Sequence, residues 1–244
     1  CPRRAPSPKV RWICTPAVQN HRTLPVAATA RSGKGTARGS LPMAGWSRVP
    51  HAERMDHRAL VNLAASQHGL VTHTQATAHG VSRGMIGRAV QDGRWTRPAP
   101  GVVAIGPYRH TLEERAMAAA LSASPAWASH ATAALLWGWE VRHGRIELTM
   151  GRDRGVKRAD VRIHSTARLS VDDVGTVRGV PVTSPARTLL DLAGRTPVAA
   201  LGASLDDALA RRLVTLETLA SIIPNQGGAR WNRPSQLAEL VRQR

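Results

Sequence analysis

The chain has 244 residues, enough for one large or two small domains of ~100–200 residues each. It carries 34 Lys and Arg against 16 Asp and Glu, a net charge of +18 with His neutral; that excess points to a polyanion partner, nucleic acid before an anionic membrane surface. No apolar run approaches the ~20 residues of a membrane span, and two cysteines, Cys1 and Cys14, support neither a disulfide scaffold nor a zinc finger, so a cytoplasmic protein is expected.

Residues 1–54 hold ten Lys/Arg and a single acid, Glu53. The stretch is rich in Pro, Arg, Ser, Gly and Thr and has no sustained periodicity. Such a composition offers too little patterned apolar surface to offset chain entropy, so a disordered basic tail is predicted. It reads either as an arm that helps hold DNA or as an extension upstream of the true start, for which Met43 and Met55 are candidates. Phe is absent and Tyr occurs once, so the cores that follow must be built from Ala, Leu, Val and a few Trp.

Residues 55–106 read as a winged helix-turn-helix. Leu60, Val61, Ala64, Ala65 and His68 recur at helical spacing, and Gly69 stops that helix. Thr72 or His73 opens a short helix to His79, ended by Gly80. Ser82 is a good N-cap for a third helix that runs to about Asp92 and closes at Gly93. On this helix Met85, Ile86, Ala89 and Val90 share one face; Arg83, Gly84, Gly87, Arg88 and Gln91 take the opposite arc. Arg94-Trp95-Thr96-Arg97, a Pro98-Ala99-Pro100-Gly101 turn and Val102-Val103-Ala104-Ile105 then form two short strands, a wing. A helix fits the major groove, where Arg and Gln reach base edges and phosphates. The candidate DNA contacts are Thr72, Thr74, Gln75, Ser82, Arg83, Gly87, Arg88, Gln91, Arg94 and Arg97. The alternative is a packed three-helix module that touches no DNA.

The pieces Gly69-Leu70-Val71-Thr72, Gly80-Val81-Ser82-Arg83, Gly93-Arg94-Trp95 and Gly101-Val102-Val103 resemble the N-terminal winged-helix domain of AbiEi-family antitoxins of type IV toxin–antitoxin systems. The resemblance implies a repressor that binds inverted repeats in its own promoter, as double-stranded DNA. It also implies a nucleotidyltransferase-like toxin from the same operon, not necessarily as a direct contact.

Residues 107–244 read as a second, mixed α/β domain with a small sheet, so the class expected for the whole chain is α+β. Thr111 and Glu114 make a capping box. Pro125 separates the helix after it from one spanning Ser129 to Trp137, ended by Gly138. Ile146, Leu148 and Met150 alternate with polar neighbours as a half-buried strand. Val161 and Ile163 make a second strand, and Val177 to Val182 a third. Ser184 and Pro185 start a helix with Ala186, Leu189, Leu190 and Ala193 as its stripe. Thr196-Pro197 and Thr215 start two more helices, and Leu237 to Val241 is a last apolar patch. The runs Ser129 to Gly138 and Gly179 to Ala193 resemble the middle region of actinobacterial proteins with this winged helix. In many of those a very-short-patch-repair-like endonuclease domain follows; this chain stops about where it would begin. A second reading is therefore the non-catalytic front part of such a nuclease.

No catalytic signature is legible. Lys157 is the only Lys after residue 54 and has no acid two residues before it, unlike a metal-dependent nuclease strand. Asp172-Asp173 and Asp206-Asp207 read as solvated acids, because sequence neighbours diverge on strand and helix alike. His68, His73 and His79 are poorly spaced for one helical face. No enzyme, cofactor or metal is expected. Arg152, Arg154, Lys157 and Arg158 lie in a loop between two strands. They read as either a solvated hairpin loop or a second phosphate-contacting patch or partner surface.

Overall fold

The computed structural model describes residues 56–151, 159–167, 169–225 and 234–244. The basic tail and the loop bearing Arg152, Arg154, Lys157 and Arg158 fall outside them. The fold is α+β: a winged helix-turn-helix followed by a mixed α/β region around a five-stranded sheet. Among the described residues, no helix is long and apolar enough to cross a membrane.

Helix α1 spans His57–Ser66, capped by Asp56, whose carboxylate accepts the Ala59 N–H at 2.9 Å. It buries Leu60 and Ala64. His68 is not on that face: the helix has ended, and His68 takes a left-handed φ of 56° before Gly69 at 80°. Val61, which shares the helical spacing, is 40% exposed. Three-residue β1, Leu70–Thr72, leads into α2, His73–Ala78, then α3, Arg83–Gln91. β2, Trp95–Ala99, and β3, Val102–Ile105, complete a sheet of order β1-β3-β2, antiparallel throughout. The strand β2 runs further than the sequence indicates, through Pro98 to Ala99. A register shift between Thr96 and Ala99 spares Pro98 from donating a ladder N–H it lacks.

Successive β3 side chains point to opposite faces, and both faces are buried. Val103 joins Leu60, Ala64, Val71, Ala76, Val81 and Ile86 in the core of the three helices. Val102 and Ala104, with Leu70 and Ala99, belong to the larger core of the following region. That is why residues 102–105 read as an unbroken apolar run.

The element that closes the second face is α4, Leu112–Ser122, with the predicted capping box: Thr111 Oγ1 accepts the Glu114 N–H at 3.2 Å, and the Glu114 carboxylate accepts the Thr111 N–H at 3.1 Å. Its Ala116, Met117, Ala118, Ala119 and Ala120 are each 3% exposed or less. A helix apolar all round is a buried helix, and alanines let sheets approach it from two sides. One side is the winged-helix sheet. The other is formed by β4 (Ala126–Ala128), β5 (Ile146–Met150) and β8 (Val180–Thr183).

The second sheet has the order β6-β5-β4-β8-β7, with β6 at Val161–Ser165 and β7 at Val174–Val177. Three expectations change here. β5 and β6 run parallel, so these two strands are not the arms of a hairpin. β5 is not half-buried, because Thr149 on its polar side is 1% exposed. The single strand expected over 177–182 is the inner part of a β7–β8 hairpin. Its turn is Arg178-Gly179, with φ of 49° and 84°, the two positive values a tight two-residue turn needs.

Helix α5, His130–Trp137, ends at Gly138 in the left-handed conformation. Trp137 and Trp139 are core residues, 2% and 3% exposed, with indole N–H groups donating to the Thr183 carbonyl and the Asp207 carboxylate, both at 3.1 Å. Helix α6, Pro185–Leu192, starts where predicted, at Ser184 and Pro185. α7 (Val198–Ala210), α8 (Leu216–Asn225) and α9 (Pro234–Arg242) follow.

Candidate nucleic-acid interface

Helix α3 is built outward from its cap. The Ser82 hydroxyl accepts the Met85 N–H at 3.2 Å and fixes the first turn. Ile86 and Ala89 are then buried, and Met85 and Val90 half-buried against the three-helix core. The 3.6-residue period leaves Arg83, Gly84, Arg88 and Gln91 exposed. Gly84 sits under the Arg88 side chain: a Cβ added there would lie 3.8 Å from Arg88 Nη1. A Cβ on Gly87 would meet nothing within 4 Å. Neither glycine is required by packing.

The wing carries a further exposed arginine, Arg97. His73, at the start of α2, has its pKa lowered by burial, with the charges of Arg97 and Arg83 adding to that shift. His73 also donates its backbone N–H to the Gly101 carbonyl at 2.8 Å, which ties the wing's turn to that helix. From residue 57 to 111 the sequence has six arginines and a single acid, Asp92. That acid pairs with Arg94 at 2.9 Å, with both side chains more than half exposed.

The ten sequence-selected residues thus fall into three sets. Arg83, Arg88, Gln91 and Arg97 are exposed on α3 and the wing, and Thr74 is exposed on α2. Thr72, Gln75 and Ser82 hold the fold: Thr72 and Gln75 form a reciprocal capping box, and the Gln75 amide nitrogen donates to Gln67 at 3.2 Å. Arg94 is engaged by Asp92, and Gly87 offers bare backbone. Sequence reasoning did not select His73; its only cue was its place beside Thr72.

Three of the four paired acids serve as structural partners, while Asp172 is exposed. Asp173 accepts the Ser170 N–H at 2.9 Å and lies 3.6 Å from Arg187; Asp206 pairs with Arg244 and Asp207 with Arg211. A different cluster was missed. His130, Glu147 and His164 bring their donor atoms within 4.8 Å of one another. They come from α5, β5 and β6, and no local spacing links them.

No curated protein matches the chain. A solved structure that is similar is the crystal structure of the RV2827C protein from Mycobacterium tuberculosis, with 18% identity and a TM-score of 0.46, covering 81% of this chain and 83% of that one. Residues 58–106, from α1 to the end of the wing, match the family model of the transcriptional regulators described as AbiEi antitoxin.

Proposed function

We propose that this protein is a cytoplasmic DNA-binding transcriptional regulator, an AbiEi-like antitoxin that represses its own toxin–antitoxin operon. The observation that carries the reading is the exposed row Arg83, Arg88 and Gln91 on a helix whose other face is locked into a core, with Arg97 exposed on the wing strand that contacts that helix. An α-helix with such a row fits the major groove, and the wing's arginine suits the phosphate backbone. The partners are double-stranded DNA bearing inverted repeats in the operon's own promoter, and a nucleotidyltransferase-like toxin as the product it offsets.

The test is fluorescence anisotropy of a labelled duplex from the gene's own upstream region, over a range of salt. Arg83→Ala or Arg88→Ala should leave the melting transition in place, because both side chains are exposed. Where the arginine reads a guanine edge, its loss weakens operator binding by ~1–3 kcal/mol and relaxes preference at that base pair. Where it meets phosphate, all sequences weaken alike and the salt slope falls by ~1. Arg94→Ala should do less than Arg97→Ala, since Asp92 already engages Arg94. A double Arg83→Ala, Arg88→Ala variant that melts normally and keeps full operator affinity would sink the proposal.

A further inference from the structure

A cleft of about 450 Å³ opens between the start of α5, the strands β5 and β6, and the end of α6. Four guanidiniums line it, from Arg142, Arg145, Arg162 and Arg195, against one carboxylate, Glu147. Arg162 lies 3.6 Å from Glu147 and balances it. Arg142, Arg145 and Arg195 are exposed and form no ion pair among the described residues. Three unbalanced cations gathered on one concavity repel each other, and the arrangement favours an anion that relieves this. Planar guanidiniums match phosphate oxygens two at a time.

The floor of the cleft fits the same ligand better than it fits a metal ion. His130 is 4% exposed, and its backbone is held at a left-handed φ of 52°. Its ring stacks on His164 with centroids 3.7 Å apart and planes 20° from parallel. An imidazole lone pair lies in its ring plane, so two stacked rings point their nitrogens alongside each other and do not converge on one ion. The His164–Glu147 contact, at 3.6 Å, is an ion-pair distance too long for a hydrogen bond, and His164 Nε2 is buried without a hydrogen-bond partner. Glu147 is instead held by the Ala131 N–H at 3.1 Å. Burial depresses the His130 pKa to about 3, so at neutral pH the ring is an uncharged polar floor beneath the arginines.

We propose that this cleft binds a small phosphorylated ligand, free phosphate or a nucleoside monophosphate, gripped through its phosphate by Arg142, Arg145 and Arg195. The site is separate from the α3–wing face. It lies at the β6–β5 edge of the sheet, whereas the winged helix meets the β7–β8 turn at the other edge, where His68 Nε2 contacts the Arg178 carbonyl at 2.7 Å.

Isothermal titration of the full chain with orthophosphate, adenosine 5′-monophosphate and adenosine, in buffer free of other polyanions, tests this. The phosphate-bearing ligands should bind and adenosine should not. Equal affinity for the first two identifies a free-phosphate site; tighter binding of the monophosphate identifies a nucleotide site. Arg145→Ala with Arg195→Ala should weaken binding about tenfold or more, as expected for lost charge-assisted hydrogen bonds, with an unchanged melting temperature. Arg83→Ala with Arg88→Ala should leave it unchanged, which separates this site from the DNA face and from general attraction to a basic chain. The proposal is overturned if the cleft variant binds phosphate as the parent does, or if adenosine binds as well as its monophosphate. It is equally overturned if a short DNA duplex displaces phosphate from the α3 variant, or if Zn²⁺ binds stoichiometrically and is lost in Glu147→Gln.

Discussion

The winged helix and the five-stranded region handle charge in opposite ways. In the winged helix the buried core is wholly apolar, and its arginines stand outside it. In the second region charge goes inside. Arg187 of α6 is 1% exposed, donates from Nε to Asp191 at 2.9 Å, and reaches Asp173 at 3.6 Å. Burial lifts the Asp191 carboxyl to about 6 despite the pull of Arg187. The same region holds the stacked His130–His164 pair over Glu147. The first arrangement keeps charge where a partner can reach it. The second commits charge to a single internal geometry, in which each buried group depends on its neighbour.

The sharpest way to break this contrast is to remove one buried partner. Arg187→Ala leaves Asp191 and Asp173 facing an empty low-dielectric site, and urea denaturation should show a loss of about 3–5 kcal/mol. Replacing Arg187 with Met and Asp191 with Leu together should recover much of that, since a buried pair exchanged for apolar packing is often near neutral. Arg88→Ala on the exposed face should move stability by no more than ~0.5 kcal/mol. Equal losses at the two arginines would erase the distinction.

Acid gives a second, smaller test. The unfolded chain takes up a proton on His130 near pH 6.5, while the folded state resists until about 3. Folding is therefore unaffected by this group above about pH 6.5 and loses stability as pH falls through that value. By pH 5 the loss from this one group is about 2 kcal/mol. Glu147, held near 2 by His164, the Ala131 N–H and the neighbouring imidazole against the opposing effect of burial, adds nothing to that window; its contribution is lost only below its unfolded value of 4.5. His130→Asn, whose side chain tolerates the left-handed backbone, should flatten the pH 7 to 5 dependence of the melting temperature. An unchanged slope would mean that His130 is not the buried, uncharged group described here.

The two regions also differed in how far they could be read from sequence. Helix α3 was legible because every cue is local: Ser82 at its start, Gly93 past its end, and Met85, Ile86, Ala89 and Val90 at helical spacing. The wing followed for the same reason. What was missed depends on partners far along the chain. β1 is three residues that pair with β3 some thirty positions on, and the parallel β5–β6 pairing leaves no mark that separates it from a hairpin. His68 fitted a helical period but lies past the end of α1. Gly179 was a visible turn signal inside a run read as one strand. A Cβ there would sit 3.1 Å from the Ser66 carbonyl oxygen, so that turn meets the end of α1, which no local pattern announces. Arg187 and Asp191 lie outside the stripe expected for α6 and are nevertheless buried, because what covers them is tertiary. The exposure of Arg83, Arg88 and Arg97 was legible in the sequence, and the His130–Glu147–His164 cluster of the separate cleft was not.

The smallest effect bears on what α3 is for. Gly87 lies mid-helix, where glycine is less favourable than alanine by about 1 kcal/mol, and a Cβ there meets nothing within 4 Å. Gly87→Ala should therefore raise stability by about 0.4–1 kcal/mol, read as a higher denaturation midpoint at constant slope. If the helix serves only packing, that gain is the whole consequence. If α3 lies in a groove, the added methyl projects from the arc that carries Arg83, Arg88 and Gln91, where glycine lets backbone approach a ligand closely. Operator affinity should then fall while stability rises. This opposite movement of the two quantities is the expected result, because a substitution that merely damaged the fold would lower both. Higher stability with unchanged operator affinity would place Gly87 away from the DNA and move the contact toward Arg83 and the wing.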